Sequence, residues 1–225
     1  KIMIDEAKKR GLEIHAWLNP YRVSYKTEDV STLANSSYVK QYMAKNPNST
    51  FAVAYDGGLY LNPANPDAEK LIIDGVKEIL DAYDVDGIHF DDYFYPTMDE
   101  SFDQTDYSAY VNANGNPLSL ADWRRENVNR MLKSVYNTVK SYGNDIAFGV
   151  SPAGNNERNY DELYADTDAW INGGYIDYII PQLYFGYNYS PDRYSYGTLV
   201  NQWAKYSGKT ALYVGIGAYK IGAGS

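Results

Sequence analysis

Five short stretches of this chain alternate in the same way, and that alternation limits its possible folds more than any other feature. In Glu13-Ile14-His15-Ala16-Trp17-Leu18-Asn19 the odd positions are polar or aromatic and the even ones apolar. Ile88 and Phe90 are set against His89 and Asp91, and Ile146, Phe148 and Val150 against Ala147, Gly149 and Ser151. Ile179, Pro181 and Leu183 oppose Gln182 and Tyr184; Val214, Ile216 and Ala218 oppose Tyr213, Gly215, Gly217 and Tyr219. A period of two means a strand with one apolar face. The other face turns polar toward the C-terminal end of each stretch. Parallel strands covered by helices on both faces would read as continuous apolar runs. Strands with helices outside and a mouth built from their C-terminal ends read as these do. The expected fold is therefore α/β, a TIM-type β/α barrel.

Helical signals fall between the stretches. Residues 1–10 form a lysine-rich helix stopped by Gly11, and 67–83 repeat Leu71, Ile72, Val76, Ile79 and Leu80 at helical spacing. Ser119 caps a helix over 119–142, and two more span 160–172 and 195–206. Two polar excursions interrupt the alternation at 24–65 and 94–118, the first holding a hairpin of 51–55 and 59–61 across Asp56-Gly57-Gly58. No segment reads as a linker, so the 225 residues form one domain, 1–225. A full barrel of this class has eight strands and about 250 residues. The expected strands (12–18, 88–92, 146–151, 178–184 and 211–217) fall short of that. The barrel is expected to be incomplete here, with another chain or segment supplying the rest.

A net charge of −9 and a pI near 4.7 disfavour nucleic acid and anionic membrane as partners. No stretch approaches the ~20 apolar residues of a membrane helix, so no membrane insertion is expected. The absence of cysteine rules out disulfides and thiolate metal sites, and fits a bacterial envelope or secreted protein. The 25 tyrosines offer apolar faces for sugar rings with a hydroxyl at the rim, or the exposed tyrosine of a secreted surface.

The strongest chemical signal is Asp86-Gly87-Ile88-His89-Phe90-Asp91-Asp92-Tyr93-Phe94-Tyr95-Pro96, where two carboxylates end a strand. Glycoside hydrolysis needs one carboxylate as nucleophile or base and a second as acid. By parity Asp91 faces the pocket, while Asp92 belongs to the loop or orients a neighbour. The second signal is His15-Ala16-Trp17-Leu18-Asn19-Pro20-Tyr21-Arg22, an aromatic surface with an amide and a guanidinium at one strand end. His15 reads more simply as a hydrogen-bonded residue deep in the barrel. Ser151 lacks a neighbouring base and reads as a lining residue, and Gln182 and Tyr184 as sugar contacts. No other strand end carries a carboxylate, so the acid partner is sought on loops, at Asp56, Glu157 or Asp161, the last of which also fits a helix cap.

These motifs, with Gly149-Val150-Ser151-Pro152 and Ile176-Asp177-Tyr178-Ile179-Ile180-Pro181-Gln182-Leu183-Tyr184, resemble the family-10-like glycosyl hydrolases. Those are bacterial envelope proteins, formerly a domain of unknown function and distinct from the family-10 xylanases. The resemblance runs over nearly the whole chain, with several motifs in the right order. It implies a β/α barrel acting on glycan, some members being associated with peptidoglycan, including strands stripped of their stem peptides. It also implies that the stretch ending at Asp92 is the barrel's fourth strand, two strands lying before Lys1 and one after Ser225. The Asp-Gly-x-x-x-Asp pattern is similar to the nucleophile strand of α-amylase-type barrels, which by analogy places the nucleophile on Asp91.

The expected function is carboxylate-based hydrolysis of glycosidic bonds in a bacterial cell-wall or related polysaccharide. Asp91, Asp92 and Asp161 are the catalytic candidates. Trp17, Asn19, Tyr21, Arg22, His89, Tyr93, Tyr95, Ser151, Gln182 and Tyr184 are the candidate substrate contacts, and Arg22 suits a lactyl carboxylate of muramic acid. No cofactor and no metal is expected. Two other readings stay open: a non-catalytic glycan-binding barrel without a competent acid, and a metal-dependent polysaccharide deacetylase or lyase using His15 and His89.

Overall fold

The computed structural model describes residues 1–220 and residue 222. Helix α1 (Ile2–Lys8) precedes strand β1 (His15–Leu18). The first excursion holds β2 (Arg22–Ser24), α2 (Tyr38–Lys45), β3 (Ala52–Tyr55) and β4 (Gly58–Leu61). Helix α3 (Pro66–Ala82) leads into β5 (Gly87–Phe90), followed by α4 (Gln104–Ala113), α5 (Leu120–Tyr142) and β6 (Ala147–Val150). Then come α6 (Asn156–Asp161), α7 (Thr167–Gly173), β7 (Tyr178–Ile179), α8 (Tyr196–Ala204) and β8 (Ala211–Leu212).

The five barrel strands form one parallel sheet in the order β1-β5-β6-β7-β8. This is the wall of a TIM-type barrel, and the wall is not closed. The outward residues of its central strands, Ile88, Phe90, Phe148, Val150 and Ile179, are fully buried beneath the helices. The two longest helices begin at the caps their sequence offers. Asn65 caps α3 by accepting from the Asp67 N–H (2.9 Å), with Pro66 at the first helical position, and Ser119 caps α5 through the Asp122 N–H (3.1 Å). Helix α5 buries Val128, Met131, Leu132, Val135 and Val139, a stripe at helical spacing that covers the sheet.

Strands came out shorter than the alternation suggests. In β7 the reason is Pro181, which has no N–H for the ladder; pairing resumes beyond it as single bridges from Gln182 to Ala153 and Gly215. The single helix expected over 160–172 is two, broken where Tyr164 adopts a left-handed backbone (φ 52°). The excursions are more ordered than expected. The hairpin β3–β4 gains β2 as a third antiparallel strand, and each excursion carries a helix.

Candidate active site

The mouth is built around the end of β5. The Asp91 N–H still reaches the Leu18 carbonyl (3.4 Å), but the chain then turns, and the Phe94 N–H bonds the Asp92 carbonyl (3.2 Å). Past Phe90 strand parity no longer governs which way side chains point. Asp91 faces the end of β1: its carboxylate accepts from the Asn19 amide (3.3 Å), from the Trp17 indole N–H at the long distance of 3.5 Å, and from the Tyr93 backbone N–H (3.4 Å). Asn19 is a strut, because its Oδ1 also accepts from the Arg22 backbone N–H (3.0 Å). Asp91 is buried, and that burial raises its proton affinity above the usual carboxylate range against the opposing pull of the donors.

Asp92 turns the other way, toward the ends of β6 and β7. It lines a cleft of about 160 Å³ with Gly154, Asn155, Gln182 and Tyr184 among its walls. Tyr184 lines this cleft with Asp92, and its hydroxyl is pushed up by burial and then by the Asp92 charge. Gln182 donates to the Ser151 carbonyl (2.9 Å), which fixes its amide at this wall. Ser151 itself is not a lining residue. It is buried, and its hydroxyl donates to the Ile180 carbonyl (2.7 Å), tying β6 to β7.

Beneath the mouth, on the inner face of the wall, the Tyr178 hydroxyl lies 2.7 Å from His15 Nδ1 and 3.0 Å from His89 Nδ1. The His89 and Tyr178 rings stack at 5.7 Å, and Trp17 meets His89 edge-on at 4.8 Å. Burial, with a contribution from His15, lowers His89 from 6.5 to about 4. His15 is thus the hydrogen-bonded barrel histidine of the simpler reading. His89 is corrected: it is 5% exposed and committed to Tyr178, one inward position below Asp91, so it supports the mouth and does not present itself to a sugar there. The two histidines converge on a phenol. Among the described residues no group of three or more His, Cys, Asp or Glu is arranged to hold a metal. An open concavity of about 600 Å³ runs along this inner face past His15, Trp17, Tyr178 and Tyr213.

Three further expectations need correction. Tyr21 and Tyr95 are each 1% exposed, so neither is a platform; Tyr95 accepts from the Asn127 amide (3.2 Å), and Tyr21 packs in the core. Asp161 is exposed on α6 and lines a separate cleft with Asp166, Asp168 and Lys205, away from Asp91; Asp166 caps the next helix instead. Glu157 lines that same separate cleft, and Asp56 is the turn of the hairpin. Trp17 and Tyr93 are open, 61% and 47% exposed, at the mouth. Two residues were missed. Tyr178 shares the parity of Gln182 and Tyr184, a signal present in the sequence. Arg124 is fully buried, pairs with Asp103 at 2.6 Å, and donates to the Met98 and Asp99 carbonyls (3.2 and 2.7 Å), so it clamps the loop that follows Asp91. Nothing in the helical pattern of α5 distinguishes it from a solvated arginine.

The glycosyl hydrolase-like 10 family matches residues 1–225. The chain is 38% identical over 97% of its length to "Glycosyl hydrolase YngK" of Bacillus subtilis (strain 168), and 37% identical over 99% to "Glycosyl hydrolase DigH" of Escherichia coli (strain K12). It spans 45% and 54% of those proteins, about half the length of the curated relatives it matches. Among solved structures it is similar to the PgaB (BpsB) glycoside hydrolase domain from Bordetella bronchiseptica. The TM-score is 0.59 at 14% identity, over 92% of this chain and 62% of that one. It is also similar to a cycloisomaltooligosaccharide glucanotransferase of Paenibacillus sp., TM-score 0.54 at 15% identity, over 95% of this chain and 27% of the other. These two likenesses show the fold.

Proposed function

This chain belongs to the glycosyl hydrolase-like 10 family, and from that premise we propose that it is the catalytic barrel of a glycoside hydrolase acting on a bacterial cell-wall polysaccharide. One observation carries the reading. Two adjacent carboxylates end β5 at the C-terminal mouth, and past Phe90 they diverge, Asp91 toward β1 and Asp92 toward β6 and β7. Asp91 is surrounded by N–H donors, which hold it ionised and oriented, while burial strengthens it as a base. It acts as nucleophile at the anomeric carbon or as base toward water. Among the described residues Asp92 is the carboxylate that shares this mouth, and it takes the role of acid toward the leaving oxygen. Trp17, Tyr93 and Tyr184 supply ring surfaces, and Asn19 and Gln182 supply amides. Envelope or secreted location is part of the proposal, supported by the cysteine-free composition and by the substrate class.

The test is product analysis by mass spectrometry on purified peptidoglycan, intact and amidase-stripped, with the full-length protein. Shorter glycan fragments from wild type and none from Asp91→Asn are expected. Retained binding with no cleavage by wild type would move the reading to a glycan-binding barrel.

A further inference from the structure

Arg22 and Arg193 stand apart from the other arginines, and of the two it is Arg22 that adjoins Asp91, Arg193 lying over Tyr194. Arg10, Arg124, Arg125, Arg130 and Arg158 each pair with a carboxylate. Arg22 pairs with none among the described residues, in a chain of net charge −9. Its guanidinium also makes no hydrogen bond there. Its guanidinium carbon lies over the ring of Tyr93, 4.2 Å from the centroid, with the Tyr25 ring at 5.9 Å. Both tyrosines are open, 47% and 67% exposed.

The site is built. Asn19 holds the Arg22 backbone N–H with one end of its amide and Asp91 with the other (3.0 and 3.3 Å). Tyr93, which carries the guanidinium, donates its own backbone N–H to Asp91 (3.4 Å). Arg22 is therefore fixed relative to the reacting carboxylate from two sides. A guanidinium held over a ring and outside any ion pair keeps its forked donors for a planar two-oxygen acceptor, and a carboxylate matches that fork where an ammonium or a neutral hydroxyl does not. We propose that Arg22, seated on Tyr93, is a specificity site for a carboxylate carried by the sugar bound next to Asp91. The proposal rests on the hydrolase reading and narrows its substrate to an acidic glycan. The carboxylate belongs either to a lactyl ether or to a hexuronate.

Binding to the full-length protein carrying Asp91→Asn, measured by calorimetry, tests this without turnover. Chitooligosaccharides are the neutral probe; peptide-free peptidoglycan oligosaccharides add the lactyl carboxylate to a comparable backbone; hyaluronan oligosaccharides carry it as a hexuronate. One acidic probe is expected to bind about tenfold to a hundredfold tighter than the neutral one, the range for a single charged hydrogen-bonded pair. Which one does so identifies the source. Arg22→Gln should collapse that ratio to near unity, and Arg22→Lys should recover only part of it. Equal affinity for neutral and acidic probes, or an unchanged ratio in Arg22→Gln, would overturn the proposal. Because the readout is a binding ratio, it stands even if peptidoglycan is not cleaved. Binding of no probe at all would count against both readings, while cleavage of neutral glycan without an acidic preference would sink this one alone.

Discussion

At the scale of single residues, the acids and histidines carry the testable chemistry. Asp91→Asn keeps the shape and loses the charge, so turnover should fall about a thousandfold or more with binding largely kept, read from kcat and substrate affinity together. Burial has already raised Asp91, so the acid limb of kcat/KM against pH should lie above the ~3.9 of a free carboxylate. Asn19→Ala removes a donor that favours the ionised form, so that limb should move higher still; a shift downward would contradict the strut role. His89 titrates in the fold near 4 instead of 6.5. Between those values the unfolded chain binds more protons, so stability should fall as pH drops from 6.5 toward 4. The loss is up to about 2 kcal/mol after allowance for solvent screening. Denaturant midpoints across this window should flatten in His89→Asn. The pair of imidazoles carries a further constraint. A phenol has one proton, so Tyr178 can donate to His15 or to His89 but not to both, and the other ring must donate to it. With both rings neutral they hold different tautomers, which nitrogen chemical shifts would separate.

At the scale of elements, β5 and β6 were legible because an uninterrupted ladder forces period two. Ile88 and Phe90 point under the helices while His89 points inward, as alternation requires. Legibility ended where the ladder ended. Tyr21 and Tyr95 look like rim aromatics in the sequence, yet each follows a turn whose direction no periodicity encodes, and both fold into the core. Asp92 was assigned to the loop by the same parity, which had lapsed one residue earlier. The Arg124 clamp was invisible because a buried ion pair joins segments 21 residues apart. Its energetics are nonetheless clear: Asp103→Asn leaves a buried guanidinium uncompensated and should cost about 3–5 kcal/mol in chemical denaturation. Gly149 is a second such point. A methyl there would sit 2.2 Å from the Tyr178 ring, so Gly149→Ala should expel Tyr178 from between the histidines, visible as a loss of the depressed His89 titration.

At the scale of the whole molecule, the wall of the barrel stays open. Strands β1 and β8 are its edges, and Trp17, Tyr213 and Ile216 are 57–63% exposed beside them. Open edges and bare apolar surface promote association. The 225-residue chain should bind a hydrophobic dye and elute above monomer mass by light scattering. The order of the strands has its own consequence. Read across the sheet, β1-β5-β6-β7-β8 is also their order along the chain. Each strand lies beside the one made before it, so no later segment must be inserted between two earlier ones. During synthesis each new stave finds its template already in place, and the wall can grow from one end at the pace of translation.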